Sequence, residues 1–117
     1  MQTYTGTCHC GQVKVAFRSE PLEKALRCNC SICQRLGVLM TPRLDPAQLE
    51  VISGREAVKV YLHGDKEIKF SFCSNCSVFV FFEPAKPDGF CRVNLNCVDE
   101  LDQNTLEVVF FDGKHLL

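Results

Sequence analysis

The clearest hydrophobic period along this chain is two. Residues 13–17 alternate, with Val13, Val15 and Phe17 on one face, the pattern of a strand with one buried side. Val58–His63 and residues 68–72 are two further β-rich runs, and Gly64-Asp65 between them predicts a tight hairpin turn. Residues 78–82 are wholly apolar and predict a short buried strand. Residues 90–95 and 106–111 continue the β pattern, bounded by Asp88-Gly89 and Asp112-Gly113. Helical signals are few. Asp45 offers an N-cap and Pro46 a first helical position. Ser31–Leu36, stopped by Gly37, predicts one more short turn. The expected architecture is mainly β with few short helical turns, one domain over residues 1–117, and its cysteines in loops.

Composition narrows the function classes. A hydrophobic fraction of 46% in 117 residues excludes a disordered chain and suffices for one modest core. The longest apolar run, residues 78–82, falls far short of the roughly 20 residues that cross a bilayer, so no membrane partner is expected. Thirteen basic against fourteen acidic residues leave a net charge of −1. That balance provides no basic surface for a phosphate backbone, and nucleic acid is not an expected partner. The first residues, Met1-Gln2-Thr3-Tyr4-Thr5-Gly6, contain neither the basic nor the apolar region of a secretory signal. A cytoplasmic, reducing setting is therefore expected, in which clustered cysteines bind metal or do chemistry rather than pair.

There are nine cysteines, and seven of them are grouped. Cys8-His9-Cys10 and Cys28-Asn29-Cys30 share a one-residue gap; Cys30-Ser31-Ile32-Cys33 and Cys73-Ser74-Asn75-Cys76 share a two-residue gap. A two-residue gap lets two thiolates face one ion at about 2.3 Å each, the usual clip of a tetrahedral zinc site. Cys73 and Cys76 need a second pair, and Cys8 with Cys10 supplies it, giving a structural zinc on four thiolates that pins the N-terminal strand to the middle of the chain. The triplet Cys28, Cys30 and Cys33 has no fourth cysteine or histidine nearby in sequence. It suits a zinc with one open position for water or substrate, and an all-thiolate site welcomes a further sulfur. The competing reading closes that site with Cys91 or Cys97, each of which otherwise reads as a small buried hydrophobe.

Other candidates divide between chemistry and packing. His63 and His115 read as surface residues, and His9, between two candidate ligands, reads as pointing away from the metal, either to solvent or to a role behind the ligands. Arg27, Arg35 and Arg43 flank the triplet and are either solvated or anchors for an anionic substrate. Phe79, Phe81, Phe82 and Phe90 read as core, with one ring free to line the open site.

The motifs together resemble a known family. Thr7-Cys8-His9-Cys10-Gly11-Gln12-Val13, Cys28-Asn29-Cys30-Ser31-Ile32-Cys33-Gln34-Arg35-Leu36-Gly37 and Phe72-Cys73-Ser74-Asn75-Cys76 resemble the glutathione-dependent formaldehyde-activating enzymes, a family that also contains centromere protein V. Pro87-Asp88-Gly89, Val93-Asn94-Leu95-Asn96-Cys97 and Phe111-Asp112-Gly113 extend the likeness over nearly the whole chain. The resemblance implies a tent-like arrangement of small sheets and two zinc ions, structural on Cys8, Cys10, Cys73 and Cys76 and catalytic on Cys28, Cys30 and Cys33. It further implies carbon–sulfur lyase chemistry on an adduct of a small thiol, such as glutathione, with an aldehyde. The alternative is a non-catalytic zinc-binding module that binds a protein. The chain departs from the family where glycine and a His/Tyr–Pro pair are usual, with Ser77, Phe79 and Val80, and at the closing tryptophan, with Leu116.

Overall fold

In the computed structural model, which describes residues 1–63 and 67–116, nine strands build three separate sheets joined by short helical turns. The first sheet has the order β1 (Gln2–Thr7), β2 (Lys14–Ser19), β4 (Leu49–Ser53), all antiparallel. The second pairs β3 (Lys24–Cys28) with β9 (Glu107–Phe111) in parallel, far apart in sequence. The third runs β5 (Val58–His63), β6 (Ile68–Cys73), β7 (Phe79–Pro84), β8 (Arg92–Val93). Two short helices complete it, α1 (Ser31–Leu36) after β3 and α2 (Gly113–Leu116) after β9.

The period-2 signal is realised in β2, where Val15 and Phe17 are buried between exposed Lys14 and Arg18. Strands β5 and β6 pair with His63 opposite Ile68, and the expected Gly64-Asp65 turn lies outside the described residues. Strand β7 buries Phe79, Val80, Phe81 and Phe82 in succession, as a central strand covered on both faces does. The expected turns are present. Asp45 and Gln48 form a reciprocal capping box around a 3₁₀ turn at Pro46–Gln48, and Gly37 ends α1 in the left-handed conformation at φ 62°.

Two expectations are corrected. Residues 90–95 keep only the two-residue β8, because the Asn94 side chain accepts from Asn96 N at 3.0 Å and turns the chain into a 3₁₀ segment, Leu95–Cys97. Strands β1, β3 and β4 occupy stretches without a clear apolar alternation. Strand β1 is rich in threonine and buries only Tyr4 and Gly6; a Cβ on Gly6 would lie 3.3 Å from Val15 and 3.4 Å from Val93, so the strand packs by being thin.

The buried side chains form two clusters, and each holds one group of cysteines. Cys8 and Cys73 join Val13, Val15, Phe17 and Phe81. Cys28, Cys30 and Cys33 join Met40, Phe70, Phe79 and Phe82. The segment after α1 stitches the sheets together: Met40 exchanges backbone hydrogen bonds with Leu26 at 2.8 and 2.9 Å, and Leu44 with Cys91 at 2.9 and 2.8 Å. That stitching carries Arg43 to the side of β8.

Candidate metal centres

The Sγ atoms of Cys8, Cys10, Cys73 and Cys76 all lie within 4.8 Å of one another, and so do those of Cys28, Cys30 and Cys33. Sulfurs about 2.3 Å from one tetrahedral ion stand about 3.7 Å apart. The Cys8–Cys10 and Cys10–Cys73 separations are both 3.6 Å, which fits that geometry and is far beyond a disulfide bond of about 2.05 Å. All nine cysteines are free. The donor set, soft thiolates in a group of four and a group of three, fits zinc in both places.

The four-sulfur group is built from two similar knuckles. In the first, Cys8 N bonds Val13 O at 3.0 Å and Gly11 takes a left-handed φ of 84°. In the second, Cys73 N bonds Val78 O at 3.0 Å and Ser77 takes φ 65°, a conformation that suits the glycine usual in the family at this position. These turns aim main-chain donors at sulfur: Val13 N lies 3.2 Å from Cys8 Sγ and Cys76 N 3.5 Å from Cys73 Sγ. The Cys76 thiol is pushed down to about 6, first by the Cys10 backbone N–H and then by that of Val78. Cys10 is also lowered, chiefly by the Asn75 side chain. Cys8 and Cys73 are buried, Cys76 is half-buried and Cys10 exposed, so one side of this group faces the core and the other solvent.

The three-sulfur group is placed differently. Strand β3 ends at Cys28, Cys30 caps α1 and Cys33 lies in its first turn, so all three thiols turn inward and all are buried. Between them, Asn29 points outward and holds the end of the chain: its Nδ2 donates to Asp112 Oδ1 at 3.0 Å and its Oδ1 accepts from Lys114 N at 2.9 Å. The parallel register of Cys28 with Phe111 makes this contact. Burial is the main cause that pushes the Cys28 and Cys33 thiols upward. Without a cation Cys28 and Cys33 therefore prefer their protons, and a divalent ion is what would hold three thiolates there.

Neither lone cysteine completes this group among the described residues. Cys91 is buried on the β8 side beside Leu44, and Cys97 Sγ lies 3.5 Å from Phe79 O. What adjoins the three sulfurs instead is a cavity of about 440 Å³. Its walls are mainly apolar, with Leu26, Met40, Phe70, Phe82 and Phe90 among them. Of the four phenylalanines singled out in the sequence, Phe90 and Phe82 reach the cavity, while Phe81 is core.

The charged candidates divide clearly. Arg43 lines the cavity; Arg35 instead donates to Ser31 O at 2.9 Å, and Arg27 faces a separate small recess. His9 and His115 are exposed, the latter 2.8 Å from Asp112. His63 corrects its expectation: it is half-buried, packs edge-on to Phe70 at 5.9 Å and lines the cavity. Arg92 carried no sequence signal. It sits in β8 among apolar neighbours and reaches the cavity because β8 pairs with β7 there. Burial, and then Arg43, bring its guanidinium down to about 10.

Three small sheets and two cysteine groups of metal-ligand geometry define a small β protein built around cysteine groups that could hold metal ions. The sequence profile of the glutathione-dependent formaldehyde-activating enzymes matches residues 3–112, and the chain belongs to that family. A crystal structure of a Rhodobacter sphaeroides protein shares the fold, with a TM-score of 0.77 and 25% identity, covering 90% of this chain and 99% of that one. Among the described residues, no helix is long and apolar enough to cross a membrane.

Proposed function

We propose that the chain is a zinc-dependent enzyme of carbon–sulfur lyase type that joins a small thiol to an aldehyde, or splits their adduct, S-hydroxymethylglutathione being the family's pattern for it. The observation that carries this reading is the group of three buried thiols without a fourth protein ligand among the described residues, set against a cavity of about 440 Å³. Zinc at Cys28, Cys30 and Cys33, when bound, would favour the thiolate form of an incoming thiol. The group Cys8, Cys10, Cys73 and Cys76 would hold a second zinc with a structural role.

The chain's own residues supply the rest. The apolar wall of Met40, Phe70 and Phe82 excludes water and holds the carbon skeleton beside the sulfurs. In the forward direction the thiol gives up its proton, its sulfur forms a bond to the carbonyl carbon, the carbonyl π pair moves to oxygen, and that oxygen takes up a proton, so that the net proton count is unchanged. Reversal returns the proton and breaks the carbon–sulfur bond. His63 brings to this wall an imidazole, a group able both to give and to accept that proton. The free state of all nine cysteines supports a reducing, cytoplasmic setting.

The test is to load the protein with cobalt in place of zinc and titrate it with glutathione and a panel of small thiols. A new sulfur-to-cobalt absorption band on thiol addition, with carbon-13 formaldehyde then converted to an S-hydroxymethyl signal by NMR, is the expected result. A spectrum unchanged by every thiol would identify a closed site and a binding module instead.

A further inference from the structure

The cavity carries a charge pattern that carbon–sulfur chemistry alone does not need. Arg43 and Arg92 both line it, and neither forms an ion pair with a carboxylate among the described residues. Both are held against one ring: the Arg43 guanidinium carbon lies 4.4 Å, and that of Arg92 5.1 Å, from the centroid of Phe90. The half-buried Arg92 is further fixed by donating from Nη1 to Thr41 O at 2.7 Å. Two like charges gathered at one ring repel each other, and burying one of them adds a desolvation cost. An anion placed between them removes both penalties. Among the described residues, no aspartate or glutamate lines the cavity to play that part.

The same wall bears on what the anion is attached to. Beyond the arginines, His63 and the three sulfurs, every described lining residue is apolar. Glutathione would bring an ammonium, two carboxylates and two amides, and among the described residues the wall offers no carboxylate for the ammonium. A flat or branched hydrocarbon body suits Met40, Ile68, Phe70 and Phe82 better.

We propose that Arg43 and Arg92, stacked on Phe90, form a carboxylate subsite, and that the preferred thiol is monoanionic with an aromatic or aliphatic body spanning from this subsite to Cys28, Cys30 and Cys33. The proposal rests on the carbon–sulfur reading above and names its substrate class. Phe90 acts here as a positioning residue that sets the spacing of the two guanidinium groups. Arg92 is half-buried and also holds Thr41 O, so the variant that discriminates is at the exposed Arg43.

The experiment is calorimetric titration of the zinc-loaded protein with 4-(mercaptomethyl)benzoate, with benzyl mercaptan as its uncharged counterpart, with glutathione, and with 4-methylbenzoate, which lacks the sulfur. The benzoate thiol should bind at least about tenfold more tightly than benzyl mercaptan, the scale of a charge-assisted hydrogen bond. Arg43→Gln should bring that ratio close to one while leaving the affinity for benzyl mercaptan unchanged, and Arg92→Gln should act in the same direction if it folds. Equal binding of the two thiols by the unaltered protein, or a ratio that Arg43→Gln does not change, overturns the subsite. Tighter binding of glutathione than of the benzoate thiol overturns the apolar part of the assignment. If no thiol binds but 4-methylbenzoate does, and Arg43→Gln abolishes it, the carboxylate subsite stands and the carbon–sulfur reading falls.

Discussion

Replacing Cys73 with serine tests whether the four-sulfur group is a cross-link. Cys10 and Cys73 are 63 residues apart, and their sulfurs lie 3.6 Å from each other. Closing a loop of that length with a covalent bridge would remove unfolded-state entropy worth about 4 kcal/mol. A metal bridge at fixed, buffered free zinc approaches the same figure, because thiolate bonds to one ion hold the chain ends equally close. For a chain of this size, about 4 kcal/mol corresponds to a fall in Tm on the order of 15 °C. The assay is thermal unfolding followed by far-UV circular dichroism, with zinc counted by atomic absorption on the same sample. The control is Cys30→Ala: its partners Cys28 and Cys33 lie in the adjoining residues between β3 and α1, so that group closes no long loop. Cys30→Ala should lose about one zinc and shift Tm by only a few degrees, mainly from the buried volume removed. A Cys73→Ser protein with unchanged Tm and zinc content refutes the cross-link. Equal losses in both variants refute the division of roles between the two groups.

Three further outcomes are expected. Unfolded, metal-stripped protein titrated with a thiol reagent in the absence of reductant should yield nine thiols, and a reproducible deficit of two would reveal a bridge instead. Ser77→Gly should stabilise the protein by about 0.5 kcal/mol in urea unfolding, because Ser77 holds φ 65° and relief of that strain slightly exceeds the extra unfolded-state freedom of glycine; a loss of stability would refute it. Zinc binding by Cys28, Cys30 and Cys33 should release protons near pH 7. Burial holds Cys28 and Cys33 as neutral thiols in the metal-free state, so the apparent affinity should climb by at least about two logarithmic units per pH unit. An affinity at the three-sulfur group that does not change with pH, read with a zinc indicator, would refute the argument.

The local features of this protein are written in its sequence because each depends on neighbouring residues alone. The grouping of seven cysteines, the cap at Asp45, the stop at Gly37 and the alternation through Val13, Val15 and Phe17 are all short-range, and each has its counterpart in the fold. The mainly β class follows from those periods. Where a strand is held by its neighbour rather than by its own pattern, as with threonine-rich β1, the sequence carries little trace of it. The cavity was invisible for the same reason. His63 and Arg92 are unremarkable in their own segments, the first beside an expected hairpin turn and the second inside an apolar run. They meet at one cavity only because β5, β6, β7 and β8 pair in one sheet and the segment from Met40 to Leu44 crosses to β8, bringing Arg43 with it. Metal ligands can be found from spacing because one ion demands short gaps between thiolates. The wall around the reacting atoms has no such demand, since its residues need only be near in space, and long-range pairing alone decides which they are.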